Sequence, residues 1–378
     1  MRIGIILPGF SSDENNWAIP VQLNLVREMA THDEVRVLTL RYPHRRDCYT
    51  VFGATIYSLG VGQVRGFGRL KLWADALLTL RRLHREQPFD VLHAMWADET
   101  GLIAARAGRW LGIPVVVSIA GGELVGFDDL NYGLQRSAFS RWIVGQALGG
   151  ADCVVAACNY ARDLIPKAGY TIAPDKIRTI TLGVDANIFT PPKSNQIQFE
   201  TKLIHAASLV GVKDQATLLR TLARLDDSIT LDIIGTGTEE KNLRTLADEL
   251  GINQRVHFLG KVEHLDLPAH YQQATLNILC SRHEGLGMVT LEAAACGIPT
   301  VGTAVGLLPD YPAPGISVPV GDDVALANAI NTLLIDNKKR IALGQSARKL
   351  VEERFTIQET MRQFRTLYAE IIASKSTI

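Results

Sequence analysis

The sequence carries no excess of either charge: 39 lysines and arginines stand against 39 aspartates and glutamates in 378 residues. A chain so balanced has no global attraction for a polyanion, so nucleic acid is not an expected partner and any anion binding must be local. Cysteine is scarce and odd in number, at positions 48, 153, 158, 280 and 296. Without paired spacings it supports neither a disulfide framework nor a Cys/His metal set, and the thiols read as reduced, in a cytoplasmic protein. An Asp-x-Asp element is also missing, and no metal is expected. No apolar run approaches the roughly 20 residues of a spanning helix, and the first, Ile3 to Leu7, is shorter than a signal-peptide core, so neither a span nor export by such a signal is expected. The dinucleotide fingerprint is absent as well. Gly235-Thr-Gly237-Thr-Glu-Glu240 lacks the third glycine and nothing of the kind follows the first apolar run, so nicotinamide binding is not expected.

What is present is a regular alternation. Short apolar runs at 3–7, 35–40, 91–93, 115–119 and 154–157 are separated by helix-length amphipathic patterns, and a second series follows at 203–207, 230–234, 256–259, 276–280 and 300–302. This is the pattern of parallel sheets covered by helices. The length exceeds what one core usually supports, and the segment Thr190-Pro-Pro-Lys-Ser-Asn-Gln196 has linker composition. The reading is therefore α/β with two doubly wound, Rossmann-like domains, 1–190 and 197–356, and a last helix over 357–378.

The most informative stretch runs from Ser281 to Pro299, Ser-Arg-His-Glu-Gly-Leu-Gly-Met-Val-Thr-Leu-Glu-Ala-Ala-Ala-Cys-Gly-Ile-Pro. Gly285 and Gly287 permit close backbone approach to a ligand, and the helix that follows offers unpaired N–H groups to a phosphate. Gly297 and Pro299 end that helix. Carboxylates do not bind phosphate, but Glu284 and Glu292 beside such a site can accept hydrogen bonds from sugar hydroxyls. A sugar nucleotide supplies both groups. A hydrolytic carboxylate pair would stand about 5 to 9.5 Å apart, whereas eight helical residues span about 12 Å, which argues against a glycosidase.

These residues resemble the E-x7-E motif of retaining, nucleotide-sugar-dependent glycosyltransferases of family 4, which have the GT-B fold, and the likeness extends over nearly the whole chain. The resemblance implies two domains facing a cleft, a nucleoside diphosphate sugar as co-substrate and no further cofactor. It implies that Glu284 contacts donor-sugar hydroxyls, that the backbone of Gly285, Leu286, Gly287, Met288 and Val289 holds sugar and phosphate, and that Glu292 binds the ribose. It places Lys213 on the donor diphosphate, with Ser208 where relatives carry an arginine, so the bidentate fork is lost there. Gly235 and Gly237 then form a nucleotide-facing loop, and Val262 lies in the base-receiving segment. A plain strand-to-helix turn would carry the same two glycines.

In the first domain the resemblance puts an acceptor-side loop at Gly9, with Asn16 and Trp17 as polar and aromatic contacts, although a solvated loop with Trp17 packed inward has the same sequence. Ala120-Gly121-Gly122-Glu123 matches a turn where relatives place a histidine beside the reacting sugar; here the histidine is missing. His93, at a strand end, is a further candidate for the catalytic set with Glu284 and Lys213, against an ordinary structural role. The segment Arg69 to Arg85 mixes an apolar stripe with basic residues. It fits either weak peripheral membrane contact on the cytoplasmic face or a helix packed on the sheet with its arginines in water. The implied activity is sugar transfer to a sugar, lipid-linked or small-molecule acceptor. A sugar-nucleotide-binding protein with little activity, an epimerase or a phosphorylase on the same fold are the alternatives.

Overall fold

The computed structural model describes residues 1–14, 16, 19–192 and 200–375. Its contacts divide the chain into two units, Met1–Leu182 with the segment from Ile357 onward, and Gly183–Thr356. The first holds β1 (Arg2–Gly9), β2 (Glu34–Tyr42), β3 (Asp47–Val51), β4 (Ala54–Ser58), β5 (Val91–Ala94), β6 (Val115–Ile119), β7 (Cys153–Ala156) and β8 (Ile177–Thr179). They form one sheet in the order β3-β4-β2-β1-β5-β6-β7-β8, parallel except for the β3–β4 pair. Its helices are α1 (Pro20–Ala30), α2 (Phe67–Glu86), α3 (Glu99–Leu111), α4 (Ala138–Gly149) and α5 (Asn159–Lys167).

The second unit holds β9 (Lys202–Ala206), β10 (Thr230–Ile234), β11 (Val256–Gly260), β12 (Leu276–Leu279), β13 (Thr300–Thr303) and β14 (Gly315–Val318). All are parallel, in the order β11-β10-β9-β12-β13-β14. Helices α6 (Gln215–Leu222), α7 (Glu240–Glu249), α8 (Leu267–Gln272), α9 (Met288–Ala295), α10 (Asp323–Ile335) and α11 (Asn337–Arg354) accompany it. Strands such as Val-Val-Val-Ser-Ile of β6 are buried throughout, as continuous apolar runs demand when helices cover both faces. Two Rossmann-like sheets are what the alternating runs predict. The antiparallel β3–β4 hairpin and the edge strands β8 and β14 are additions, short and only partly buried.

The unit boundary differs from the expected 190. Residues 183–190 belong to the second unit because its own groups hold them. Val184 N–H donates to the Phe355 carbonyl at 2.9 Å. Arg348 Nη1 donates to the carbonyls of Phe189 (2.7 Å) and Ala295 (2.6 Å), and Gln272 Nε2 donates to that of Thr190 (2.7 Å). Of the expected linker, 193–196 lie outside the described residues.

The last helix, α12 (Ile357–Lys375), packs in the first unit beside α1, burying Met361, Phe364, Leu367 and Tyr368. This corrects the reading of His93. Its ring is fully buried in β5, with Nδ1 2.6 Å from Tyr368 Oη, Nε2 2.8 Å from Ser118 Oγ, and the Phe364 ring centroid 5.1 Å away. Both nitrogens are committed, and burial lowers its pKa to about 3. His93 is a neutral core residue that fastens α12 to the sheet.

The unfolded chain binds a proton at His93 near pH 6.5 that the folded chain refuses, so this group removes stability as pH falls from about 6.5 towards 3, by up to about 1.4 kcal/mol per pH unit. His93→Leu should lower stability at neutral pH by about 2–4 kcal/mol, through two orphaned hydroxyls, and should flatten that acid limb. Denaturant melts at pH 7.5 and 5 check both.

Candidate active site

In the second unit the strand order reverses between β9 and β12, the place where open α/β sheets bind ligands at the carboxyl ends of their strands. The loops leaving these two strands meet there. Lys213, closing a 3-10 turn after β9, puts Nζ 2.6 Å from Oε1 of Glu284, which leaves the loop after β12. Ser281 Oγ donates to the same oxygen at 2.6 Å. The two loops are also joined through backbone: Arg282 N–H donates to the Val212 carbonyl at 2.8 Å, and the Cys280 thiol to that of Lys213 at 3.1 Å. Asp214, at φ +47, then caps α6 by accepting from the Thr217 N–H and hydroxyl, which orients the lysine turn.

Behind the pair lies a buried polar relay that sequence alone does not disclose. His205 in β9 faces the Ile278 carbonyl through Nδ1 at 2.9 Å, so Nδ1 carries the proton and Nε2 accepts from Gln215 Nε2 at 3.2 Å. Gln215 also donates to the Ser208 carbonyl at 3.0 Å. Burial, foremost, lowers His205 to about 4, keeping it neutral. Ser208 is exposed, and its main chain is what this relay holds.

The glycines have separate tasks. Gly235, at φ +129, and Gly237 press against the β9 loop so closely that a Cβ would stand 2.0 Å from the Ala207 oxygen and 2.2 Å from the Leu209 oxygen. Hydrogen bonds from Leu209 N–H to Thr236 O (3.0 Å) and from Glu239 N–H to Leu209 O (2.9 Å) complete this junction. Gly235 N–H reaches the Gly260 carbonyl at 2.8 Å, near half-buried Val262. Gly285, Leu286 and Gly287 are buried, and Gly287, at φ +82, turns the chain into α9 at Met288 and Val289. Gly306, which the sequence does not single out, clamps this turn: Leu307 N–H donates to Leu286 O at 2.8 Å.

Glu292 lies one turn into α9, buried, with Oε2 accepting from Tyr271 Oη at 3.1 Å. Burial raises its carboxyl to about 7 and pushes the Tyr271 hydroxyl well above its usual range. Tyr271, on α8, is a second residue with no signal in the motif. Thus Glu284, Lys213, Ser208, Gly235, Gly237, Val262 and Gly285–Gly287 lie on the segments that follow the carboxyl ends of the strands, with Met288 and Val289 opening α9 and Glu292 one turn inside it.

The expected acceptor-side residues lie in the first unit. Gly9 ends β1 where a Cβ would meet that of Tyr42 at 2.9 Å, and Asn16 Nδ2 donates to Tyr42 Oη (2.6 Å) and Ser12 Oγ (2.9 Å). Trp17 lies outside the described residues. Glu123 requires a correction. Its carboxylate is buried and turned onto backbone, accepting from Gly121 N–H (2.6 Å), Ala120 N–H (3.1 Å) and Ala97 N–H (3.4 Å). It ties the loops after β5 and β6 together, and burial raises it to about 7. Gly122 packs where a Cβ would lie 2.9 Å from the Tyr132 ring.

The family model described as Glycosyl transferases group 1 matches residues 189–350, and Glycosyl transferase 4-like domain matches 19–201. The D-inositol 3-phosphate glycosyltransferase of Saccharomonospora viridis is 30% identical over 312 residues, covering 76% of this chain and 71% of the relative. The chain belongs to the family 4 glycosyltransferases. Among solved structures, this glycosyltransferase superposes on the sucrose-phosphate synthase of Thermosynechococcus elongatus with a TM-score of 0.83, at 20% identity and 99% coverage of both chains. It superposes on Anabaena HepE, solved in complex with UDP and glucose, with a TM-score of 0.77, at 19% identity and coverage of 98% and 99%. These likenesses give the fold as GT-B.

Gly306→Ala tests how the glycosyltransferase holds its Glu284 turn. At φ +62 the new Cβ would lie 2.4 Å from Leu286 O and 3.0 Å from Glu284 Cβ, whereas Gly321, at φ +76, meets nothing within 4 Å. Each alanine should cost about 1–2 kcal/mol for its backbone conformation. Only Gly306→Ala should also weaken nucleotide-sugar binding, measured by calorimetry.

Proposed function

We propose that this glycosyltransferase moves a sugar from a nucleoside diphosphate sugar to an acceptor hydroxyl with retention of anomeric configuration and without a bound divalent metal. The observation that carries the reading is the Lys213–Glu284 pair, set at the strand-order reversal next to the amino end of α9. A cation and a carboxylate side by side suit a ligand that is anionic at one end and hydroxylated at the other. HepE, of the same fold, was solved with UDP, which supports a donor of this class.

In this reading Glu284 accepts hydrogen bonds from hydroxyls of the donor sugar, and Lys213 faces the diphosphate together with the N–H groups of the Gly287–Val289 turn. Glu292 accepts from the ribose. As the bond from the anomeric carbon to the β-phosphate oxygen breaks, negative charge grows on the leaving diphosphate. The lysine and the positive end of the helix dipole stabilise that charge in place, the task a divalent cation performs elsewhere. The acceptor oxygen bonds the anomeric carbon on the face the diphosphate vacates, and its proton passes to a departing phosphate oxygen. No side chain acts as a covalent nucleophile. Ser208 contributes a short hydroxyl where relatives carry a longer cation, so Lys213 bears more of the diphosphate contact.

Thermal stabilisation by a panel of nucleoside diphosphate sugars should single out a donor, and Glu292→Ala should shrink the shift. Glu284→Gln should lower turnover by about 10²-fold or more. EDTA should leave turnover unchanged, and NMR of the product should show the donor's anomeric configuration; an inverted product or metal-restored activity contradicts the proposal. Because Glu292 titrates at about 7 in the free protein and its ionised form accepts ribose hydroxyls best, donor affinity should rise between pH 6 and 8. In Glu292→Gln the affinity should vary less with pH.

A further inference from the structure

One face of the first unit differs from the rest of the surface. Helix α2 buries Leu72, Ala76, Leu80 and Leu83, which accounts for one side of it. Phe67, Leu70 and Leu78 recur on the opposite side and stand in solvent, Phe67 at 90% exposure. Alongside, Trp73, Leu77, Leu102, Ile103, Arg106 and Trp142 line an open cavity of about 120 Å³ between α2, α3 and α4. The rings of Trp73, Phe139 and Trp142 stack in series, with centroids 6.4 and 6.0 Å apart, and Phe139 and Trp142 remain about half exposed. Among the described residues, every exposed Phe or Trp of the chain lies on these three helices.

The same helices break the charge balance of the chain. They carry eight arginines and lysines against three acids, Asp75, Glu86 and Glu99. All three acids are engaged: Glu99 by Arg41 and Arg69, Asp75 by Arg46, and Glu86 by Arg82. Arginines also lie over the aromatic rings, Arg69 at 5.2 Å from Phe139 and Arg81 at 4.7 Å from Trp110. Half-exposed aromatics, an aliphatic stripe and surplus cations on one surface match the chemistry of a bilayer's headgroup boundary with anionic lipid. A soluble carbohydrate fits less well, because the cavity lining offers one charged group, Arg106, and otherwise apolar surface. No described helix is long and apolar enough to cross a membrane, so contact would be made by lying on it.

We propose that the α2–α4 face docks this enzyme on an anionic bilayer surface. Phe67, Leu70 and the Phe139–Trp142 stack enter the headgroup–acyl boundary, and Lys71, Arg82 and Arg85, on the same outward side of α2, sit at phosphate level. Docking of this kind is independent of the donor chemistry and is measured without turnover.

The test is co-sedimentation of the full chain with vesicles of phosphatidylcholine alone or mixed with phosphatidylglycerol, at low and high salt, with tryptophan emission recorded. Binding should require the anionic lipid, weaken with salt and shift the emission to the blue. Phe67→Ser/Leu70→Ser and Arg82→Glu/Arg85→Glu should each bind about tenfold more weakly or worse, as loss of inserted area or of charge demands. Both should melt like the wild type and keep their nucleotide response, and Ile335→Ser/Ile341→Ser, on the second unit, should bind normally. Absence of binding to anionic vesicles, or equal binding by the variants, overturns the proposal. So does a concentration-dependent dimer that Phe67→Ser/Leu70→Ser abolishes, because the face would then be covered by a second copy.

Discussion

The ion pair between Lys213 and Glu284 is the constraint on which the rest of the second unit depends. Its partners leave strands β9 and β12, neighbours in the sheet yet far apart in sequence, so the pair forms only when the strand order reverses between them. Both side chains are largely shielded, at 24% and 11% exposure, and a charge left unmet there costs about 1.5–3 kcal/mol per lost hydrogen bond. That cost selects the register of the surrounding loops. Ser281, the backbone bond from Arg282 to Val212 and the Gly306 clamp each fix one end of the pair. The lysine and carboxylate satisfy one another; in the proposed function a diphosphate sugar divides them, taking the cation at one end and the carboxylate at the other.

A second set of buried polar groups holds the frame. His93 joins Tyr368 of the last helix to Ser118 of β6. Glu123 gathers three backbone N–H groups from two loops of the first sheet, and His205 connects β9 to β12 and, through Gln215, to the Ser208 turn. Each would be expensive to bury alone and is tolerated because its partners are made. Their pKa values are shifted by burial, the property that marks catalytic groups elsewhere. A titration shifted by burial is therefore a poor guide to function in this chain, since it marks groups that hold the frame.

Much of this was legible in the sequence. Ten apolar runs separated by helical patterns announce the two parallel sheets, and the segment from Ser281 to Pro299 announces helix α9. What sequence could not supply was direction and pairing. A histidine at the end of an apolar strand gives no sign of which sheet face its ring takes, so His93 reads as a candidate until α12 is seen to cover it. Tyr271 lies 21 residues before Glu292, and Gly306 lies on another strand's loop; only the fold brings either to the motif. Strand β4 alternates burial over only five residues and β3 is mostly exposed, too weak a signal against the turns around them. The linker composition at 190–196 drew the boundary too late, since Arg348, more than 150 residues onward, is what secures residues 186–189.

The division of labour between the two charged groups is tested most directly by calorimetric titration of the nucleoside diphosphate and of its sugar derivative into wild type, Lys213→Met and Glu284→Gln. The account predicts that Lys213→Met weakens both ligands by a similar factor, about tenfold or more for a lost charge-assisted contact, and that Glu284→Gln weakens only the sugar-bearing one. Equal weakening of both ligands by Glu284→Gln, or no effect of Lys213→Met on either, would contradict it.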